Sequence, residues 1–130
     1  MSAQPAKLDA LLQRLDAAPA RDGHLRWINA SRGDDIQLIT ADEVRFFQSD
    51  SKYTRVVHAG GESLIRKTIR ELAGELDPAV FWQVHRGTIV NLNAVAKVSR
   101  DANGRVILRL KDRDEVLLVS QPYAHLFRQM

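Results

Sequence analysis

A basic pair, His85-Arg86, stands within an otherwise apolar and β-branched stretch that reads VHRGTIVN over residues 84–91. Gly87 follows the pair, and a glycine within a strand pattern permits a sharp bend or a close approach of another backbone. The flanking aliphatic residues can anchor the stretch in a core, so we expect Arg86 to project from a corner between two strands. Such a corner could serve a metal or catalytic site, an ordinary solvated turn, or a surface that binds something negative.

Enzyme and metal chemistry have little support in the sequence. It lacks the common phosphate-binding, dinucleotide-binding, zinc-protease and serine-hydrolase motifs, namely GxxxxGK[ST], GxGxxG, HExxH and GxSxG. It contains no cysteine, which excludes a thiol nucleophile and a cysteine metal site. Its four histidines are scattered, whereas a metal site needs several convergent ligands. We therefore expect a protein that is not an enzyme and that binds no metal or cofactor.

The composition is typical of one soluble domain. The chain has 130 residues, of which 45% are hydrophobic and 27% are charged, so it can bury a core without disulfides. The absence of cysteine fits a reducing compartment. No segment has the length of a transmembrane helix or the layout of a secretory signal. The sequence therefore predicts a cytoplasmic protein without a membrane partner.

Basic residues are concentrated in the second half of the chain. Residues 80–130 contain 8 Lys or Arg and 4 Asp or Glu, whereas residues 34–79 contain 6 and 9. Arginine outnumbers lysine 14 to 5, and its planar fork matches phosphate oxygens and guanine edges. This pattern favours a polyanionic partner, although many domains with a basic surface bind no polyanion.

The first 23 residues differ from the rest of the chain. Residues 6–17 predict a short amphipathic helix, because leucines recur there at helical spacing, namely Leu8, Leu11, Leu12 and Leu15. Proline and glycine break the pattern over residues 18–23, which is typical of a linker. We therefore divide the chain into residues 1–23, a helix and linker, and residues 24–130, the main domain. The helix could pack on that domain, contact a partner, or be the remnant of a connection to an upstream domain.

From residue 24 onward, short β-rich segments alternate with turn residues. The predicted strands carry the sequences HLRWIN, DIQLIT, EVRFFQ, YTRVVHA, ESLIR, VFWQVH, TIVN, AVAKVSR, RVILRL and EVLLVS. The pair Asn103-Gly104 predicts a hairpin turn, because both residues tolerate positive φ angles. We predict a mainly β fold of about ten short, mostly antiparallel strands in small sheets, with a few short α-helices.

Two short helices are predicted within this β domain. Thr68 and Glu71 have the spacing of a capping box at the start of residues 68–76, where Thr68 can cap the first amides and Glu71 can reach back. A last helix is expected to begin near Ser120, with Pro122 in its first turn.

Two further corners share the character of Arg86-Gly87. Ser51-Lys52-Tyr53 lies between two predicted strands, and Val119-Ser120-Gln121-Pro122 lies where the last strand gives way to the last helix. Each corner alone is typical of an ordinary exposed turn. On one edge, the three could contact phosphates and base edges of a duplex. The sequence alone leaves open whether they lie on the same edge.

The order of these segments, from about Gly33 to Leu126, resembles the LytTR family of DNA-binding domains. The most specific match is F-x-x-V-H-R-x-x-I-V-N at Phe81–Asn91, supported by L-V-S at Leu118–Ser120. The resemblance implies a mainly β fold whose connecting loops enter the major groove of double-stranded DNA.

The resemblance also implies a cellular role. Members of the family are usually output domains of bacterial response regulators that control transcription, and they typically bind tandem imperfect repeats. An upstream receiver domain or a dimer partner is therefore expected. The 130 residues contain no receiver pattern. We interpret the chain as an excised output domain, the alternative being a protein regulated in another way.

Carried over position by position, the resemblance implies DNA contacts from Lys52, Tyr53, His85, Arg86, Ser120 and Gln121. His85 could instead support its loop by hydrogen bonding. Two positions depart from the family pattern, because Gly87 stands where Ser is usual and Gln121 stands where Arg is common. Gln can pair with adenine but supplies no charge, so we expect a shifted sequence preference and a weaker phosphate affinity.

A rival hypothesis is a β-rich protein-interaction module that binds no nucleic acid and uses the Leu8–Leu15 helix or a sheet edge. An RNA-binding β module is less favoured, because Phe46-Phe47 and Phe81-Trp82 are expected to be at least half buried and so unable to stack on bases. Binding to duplex DNA that weakens steeply with salt discriminates between these hypotheses.

Overall fold

The computed structural model describes residues 24–127, without the side chain of Arg32. The helix predicted over residues 6–17 and the linker after it lie outside the described residues. The described part contains ten strands, namely β1 (Trp27–Arg32), β2 (Asp35–Thr40), β3 (Val44–Asp50), β4 (Tyr53–His58), β5 (Gly61–Ile65), β6 (Phe81–His85), β7 (Thr88–Asn91), β8 (Val95–Arg100), β9 (Val106–Leu110) and β10 (Val116–Leu118). Within this range, α1 (Ile69–Glu75) is the α-helix, and short 3₁₀ segments cover Ala41–Glu43, Leu92–Ala94 and Gln121–Phe127.

The described strands pair antiparallel throughout and form three sheets. The central sheet has five strands in the spatial order β5, β4, β3, β7 and β6. β1 and β2 form a separate ribbon, and β10, β9 and β8 form a small sheet in that order. The predicted mainly β fold of short antiparallel strands in small sheets is confirmed.

The central sheet is covered on both faces, which explains why its strands lack a strict apolar–polar alternation. Phe47 and Ile89 belong to a buried cluster that also contains residues of the ribbon and of α1. Phe46 and Val90, their neighbours along the strands, belong to a second cluster with the small sheet. Successive side chains of a strand point to opposite faces, so the pair Phe46-Phe47 supplies one ring to each core. The central sheet is therefore the middle layer of the fold.

Helix α1 begins where the sequence predicts it. Oγ1 of Thr68 accepts a hydrogen bond from the backbone N–H of Glu71 at 3.1 Å, and the Glu71 carboxylate accepts one from the backbone N–H of Thr68 at 3.1 Å. The bond from the Thr68 N–H, together with one that the Thr68 hydroxyl donates to the same carboxylate oxygen at 3.1 Å, lowers the pKa of Glu71, because both favour its ionised form. Ile69 and Leu72 turn the apolar face of the helix into the cluster that contains Phe47.

The segment after Ser120 forms a 3₁₀ helix over Gln121–Phe127 instead of the predicted α-helix. The backbone N–H of Tyr123 donates to the carbonyl of Ser120 at 2.9 Å, which is the spacing of three residues that defines this tighter helix. Phe127 meets Trp82 of β6 edge-on, with ring centroids 5.3 Å apart. The segment is therefore packed against the edge strand of the central sheet.

Candidate nucleic-acid interface

Two of the predicted corners lie side by side at one end of the central sheet. The first is the turn from β3 to β4, residues 50–53, and the second is the turn from β6 to β7, Arg86-Gly87. β3 pairs with both β4 and β7, so both turns leave the same end of the sheet. The backbone N–H of Ser49 donates to the carbonyl of Gly87 at 2.8 Å and joins the two turns directly.

The third corner is attached to the same end of the sheet through β6. The backbone N–H of Ser120 donates to the carbonyl of Val84 at 2.9 Å, and the Ser120 hydroxyl lies 3.5 Å from the same oxygen. Val84 is fully buried, so Ser120 is held against a fixed point close to Arg86. Residues 50–53, 86–87 and 119–121 therefore lie together, and we call them the loop surface.

The turn of residues 50–53 depends on an uncommon backbone conformation. Ser51 has φ of 58°, in the left-handed region that favours glycine. This conformation reverses the chain between Asp50 and Tyr53, which pair across the hairpin. Lys52 and Tyr53 are exposed at the tip, and 40% of Tyr53 is accessible. The turn therefore presents a cation and a phenol to solvent.

Hydrogen bonds to neighbouring side chains stabilise the turn at Arg86-Gly87, and the Arg86 side chain takes no part in them. The backbone N–H of Gly87 donates to Nδ1 of His85 at 3.1 Å, and Nε2 of Gln83 lies 3.4 Å from the carbonyl oxygen of Arg86. His85 thus supports the loop, which is one of its two predicted roles. Arg86 is exposed, and its side chain makes no hydrogen bond or ion pair with any residue between 24 and 127.

A side chain at Gly87 would meet the hydroxyl of Ser49, whereas the backbone angle of Gly87 imposes no restriction. Its φ is not among the positive values found at other glycines of the described chain. A Cβ at this position would lie 2.5 Å from Oγ of Ser49, which is closer than real Cβ atoms approach. The predicted bend is present, because Gly87 lies in the turn where β6 reverses into β7, and the β3 backbone approaches it through the hydrogen bond from the Ser49 N–H.

The third corner presents polar side chains beside this turn. Ser120 is half-buried between β6 and the 3₁₀ helix, whereas Gln121 is exposed. The structure therefore brings together all six side chains that the sequence analysis assigned to DNA contacts. Lys52 and Arg86 have no carboxylate within 4.0 Å among residues 24–127, so their charges are not neutralised by this part of the chain.

Arg66 adds a cation at the same end of the sheet that the sequence analysis did not single out. β5 ends at Ile65, which pairs with Thr54 near the start of β4. The Thr54 hydroxyl donates to the carbonyl of Lys67 at 2.6 Å and holds the chain after β5 beside residues 50–53. Arg66 is exposed and has no described carboxylate within 4.0 Å. The strand pattern ESLIR indicated only that Arg66 ends a strand. The order of strands in the sheet was needed to locate Arg66 at the end of the sheet that carries residues 50–53.

Arg55, by contrast, forms ion pairs within the folded domain. Its guanidinium pairs with Glu62 of β5 at 2.6 Å and with Glu115, just before β10, at 3.2 Å, and it lies 5.4 Å above the centroid of the Phe46 ring. The hydrogen bond to Glu62 raises the pKa of Arg55 and lowers the pKa of Glu62. Both groups are therefore charged at neutral pH, and the pair of Arg55 with Glu115 links the small sheet to the central sheet.

Asn91, the last residue of the most specific motif, has a structural role. It is 1% exposed, and its Nδ2 donates to the carbonyl of Val44 at 2.9 Å. Its side-chain oxygen accepts a hydrogen bond from the backbone N–H of Asn93, also at 2.9 Å. Asn91 therefore connects β7 to the start of β3 and is not accessible to a ligand.

No other type of site stands out in the part of the chain that the structure describes. Between residues 24 and 127, no group of three or more His, Asp or Glu residues is placed to hold a metal ion. No helix in this range has the length and apolar character needed to cross a membrane. The loop surface is therefore the candidate functional site.

Comparison with known proteins finds relatives along nearly the whole described domain. The family model of the LytTr DNA-binding domain matches residues 34–130. An uncharacterized response regulatory protein of Vibrio cholerae is 37% identical over 106 residues, which are 78% of this chain and 40% of that protein. The positive alginate biosynthesis regulatory protein of Pseudomonas aeruginosa is 34% identical over 95 residues, which are 72% of this chain and 38% of that protein.

Two further comparisons extend this result. The transcriptional regulatory protein YpdB of Escherichia coli K12 is 28% identical, over 98% of this chain and 57% of that protein. The LytTr DNA-binding domain of a response regulator from Bacillus cereus has the same fold, with a TM-score of 0.73 and 24% identity over 79% of this chain and 94% of that chain. The chain thus spans between 38% and 57% of the length of the three curated relatives.

Proposed function

This chain belongs to the family of LytTr DNA-binding domains, and we propose that it is the double-stranded DNA-binding output domain of a bacterial transcriptional regulator. In this proposal residues 24–130 form the DNA-binding domain, and residues 1–23 form the helix and linker that lead to it. The loop surface enters the major groove, and the domain works without enzymatic activity or cofactor.

The observation that carries the proposal is the meeting of three polar loops at one end of the central sheet. The hydrogen bonds from Ser49 to Gly87 at 2.8 Å and from Ser120 to Val84 at 2.9 Å tie the three loops to one another through the backbone. A surface held in this way can present several side chains to a duplex in a fixed arrangement, so less conformational entropy is lost on binding.

Phosphate contacts position the domain in this mechanism. Lys52 and Arg86 are exposed cations without a described carboxylate partner, and phosphate oxygens are the ligands that such groups bind on DNA. Arg66 lies at the same end of the sheet and extends the positive surface beyond the turn of residues 50–53. The Ser120 hydroxyl adds a neutral donor once it turns from the Val84 carbonyl, which lies 3.5 Å away.

Base contacts supply the sequence preference. Arg86 can pair with a guanine through its two parallel donors, and Gln121 can pair with an adenine. Tyr53 offers a hydroxyl and an apolar ring at the neighbouring tip. His85 acts through its hydrogen bond to the Gly87 N–H at 3.1 Å, which fixes the turn that carries Arg86.

The proposed wider role is supported by the relatives, whose names describe response regulatory and transcriptional regulatory proteins longer than this chain. We propose that an upstream receiver domain or a dimer partner controls the domain in the cytoplasm. Two linked copies would bind tandem half-sites more tightly than one copy binds a single half-site, because the second contact becomes intramolecular.

A salt titration of binding to duplex DNA tests the proposal. Each phosphate neutralised on B-DNA contributes about −0.9 to the slope of log affinity against log salt concentration. We expect a steep negative slope for the unmodified chain, and a slope less negative by about 1.8 for the variant Lys52→Ala/Arg86→Ala. The matched control is Lys97→Ala/Arg109→Ala, which removes two exposed cations that stand opposite each other in the small sheet. It should keep the original slope.

Three outcomes would contradict the proposal. Absence of binding to any duplex, or an affinity independent of salt, would favour the alternative of a protein-interaction module. If the salt slope became less negative by the same amount in both double variants, the DNA would bind at another surface or without a defined site.

A further inference from the structure

Ser49 occupies the space that a side chain at position 87 would fill. It is the penultimate residue of β3, and its backbone N–H donates to the carbonyl of Gly87 at 2.8 Å. A Cβ added to Gly87 would lie 2.5 Å from Oγ of Ser49 and 3.6 Å from its Cβ. The two positions therefore share one volume within the loop surface, and only one of them can place a side-chain atom there.

The Ser49 hydroxyl is an exposed donor that the described fold does not use. Ser49 is exposed, and its hydroxyl makes no hydrogen bond with any residue in the range 24–127. Its cross-strand partner Thr54 differs, because it is 3% exposed and its hydroxyl donates to the carbonyl of Lys67 at 2.6 Å. The hydroxyl of Ser49 is therefore available to a ligand that approaches the loop surface.

The charges around this hydroxyl suit an anion. Arg86 directly precedes Gly87, and Lys52 lies in the turn that follows β3. Asp50 is the adjacent carboxylate, but successive residues of a strand point to opposite faces. The Asp50 side chain lines a cleft at the edge of the sheet with Arg55 and Glu62, beside the Arg55 guanidinium. A group that reaches Ser49 thus comes close to the cationic tips of two loops.

We propose that the Ser49 hydroxyl donates a hydrogen bond to a phosphate oxygen of the DNA backbone, and that Gly87 leaves the room it needs. This inference rests on the proposed function, because its ligand is the duplex. A hydroxyl that donates to an ionised phosphate makes a short, charge-assisted hydrogen bond. The hydroxyl that Gly87 lacks is therefore supplied from β3, and the turn of Arg86 keeps a phosphate donor beside its cation.

The test measures affinity for a pool of random-sequence duplexes at low salt, because phosphate contacts carry no sequence information. Ser49→Ala should weaken binding roughly tenfold or more, the effect of losing one hydrogen bond to a charged group. Ser99→Ala, which removes a hydroxyl from β8 on the small sheet, should leave the affinity unchanged. The salt slope of Ser49→Ala should equal that of the unmodified chain, since a neutral donor releases no counterion.

A double-mutant cycle tests the role of Gly87. Gly87→Ala should lose as much affinity as Ser49→Ala, because the new Cβ displaces the hydroxyl. The combination Ser49→Ala/Gly87→Ala should lose no more than either alone, which is the non-additivity expected of two residues that serve one contact. Ser49→Ala/Gly87→Ser should recover most of the lost affinity, because it returns one hydroxyl to the shared volume.

Three results would overturn the inference while leaving the proposed function intact. The first is an unchanged affinity of Ser49→Ala, and the second is additive losses of affinity in the cycle. The third is a less negative salt slope in Ser49→Ala, which would show that a cation had been displaced and not only a hydroxyl lost. Failure of the unmodified chain to bind any duplex would instead refute the proposed function itself.

Discussion

Arg86→Ala removes an exposed cation of the loop surface, and its effect on folding should be small. The residue is exposed and its guanidinium has no partner among the described residues. The hydrogen bonds of the turn run from Gly87 N–H to His85 and from Gln83 to the Arg86 carbonyl, and the substitution removes neither. We expect the free energy of unfolding to change by less than about 0.5 kcal/mol.

The effect on DNA binding should be much larger. An arginine that pairs with a guanine contributes about 1–3 kcal/mol on a cognate site. That range corresponds to a roughly 5- to 150-fold weaker affinity. The loss should be smaller on an unrelated duplex, where only the phosphate component of the contact remains.

The assay is fluorescence anisotropy with two labelled duplexes, one recovered by selection from a random pool with the unmodified chain and one scrambled. Arg109→Ala serves as the control, because Arg109 is an exposed arginine on β9 of the small sheet. Equal losses of Arg86→Ala on both duplexes, with a salt slope less negative by about 0.9, would make Arg86 a phosphate contact. A folded Arg86→Ala variant with unchanged affinity for both duplexes would refute the reasoning that places this residue at the interface.

Two further predictions concern the framework behind the loop surface. Asn91→Ala should lower the free energy of unfolding by about 1–3 kcal/mol in thermal or denaturant melts, because it leaves the Val44 carbonyl without its 2.9 Å donor; a similar loss in the exposed control Asn93→Ala would argue against this cause. Glu62→Gln should destabilise the domain at neutral pH but progressively less as the pH falls. Arg55 lowers the pKa of Glu62 below its usual 4.5. The ionised Glu62 therefore stabilises the fold above pH 4.5, and this contribution is lost as the pH falls through the lower pKa of the folded state. A difference in stability between Glu62→Gln and the unmodified chain that does not vary with pH would contradict the assignment.

Local patterns in the sequence were sufficient to predict the strands and helices of the fold. β2 covers the predicted segment DIQLIT, and the capping box of Thr68 and Glu71 is formed as predicted. These features depend on residues close together in the chain, so their physical cause can be read from short spacings. The last helix is the exception, because a short segment packed on β6 through Trp82 and Phe127 took the 3₁₀ form.

The site required information that short spacings do not contain. The three corners could be identified singly, but their meeting depends on the pairing of β3 with β7 and on the hydrogen bond from Ser120 to Val84. Arg66 and Ser49 were missed for the same reason, since the end of β5 that carries Arg66 lies beside β4, and Ser49 meets Gly87 only through the pairing of β3 with β7. The positive φ of Ser51 was also not foreseen, because serine gives no indication of a left-handed conformation.

Amide NMR shifts of the isotopically labelled chain, recorded with and without a duplex, test the central claim most directly. If DNA binds at the end of the central sheet, the largest changes should fall on residues 49–53, 84–88 and 119–122, with smaller ones near Arg66. The ribbon of β1 and β2 and the outer face of the small sheet should change little. Large changes confined to those two regions, with the three loops unaffected, would contradict the assignment of the DNA-binding site to the loop surface.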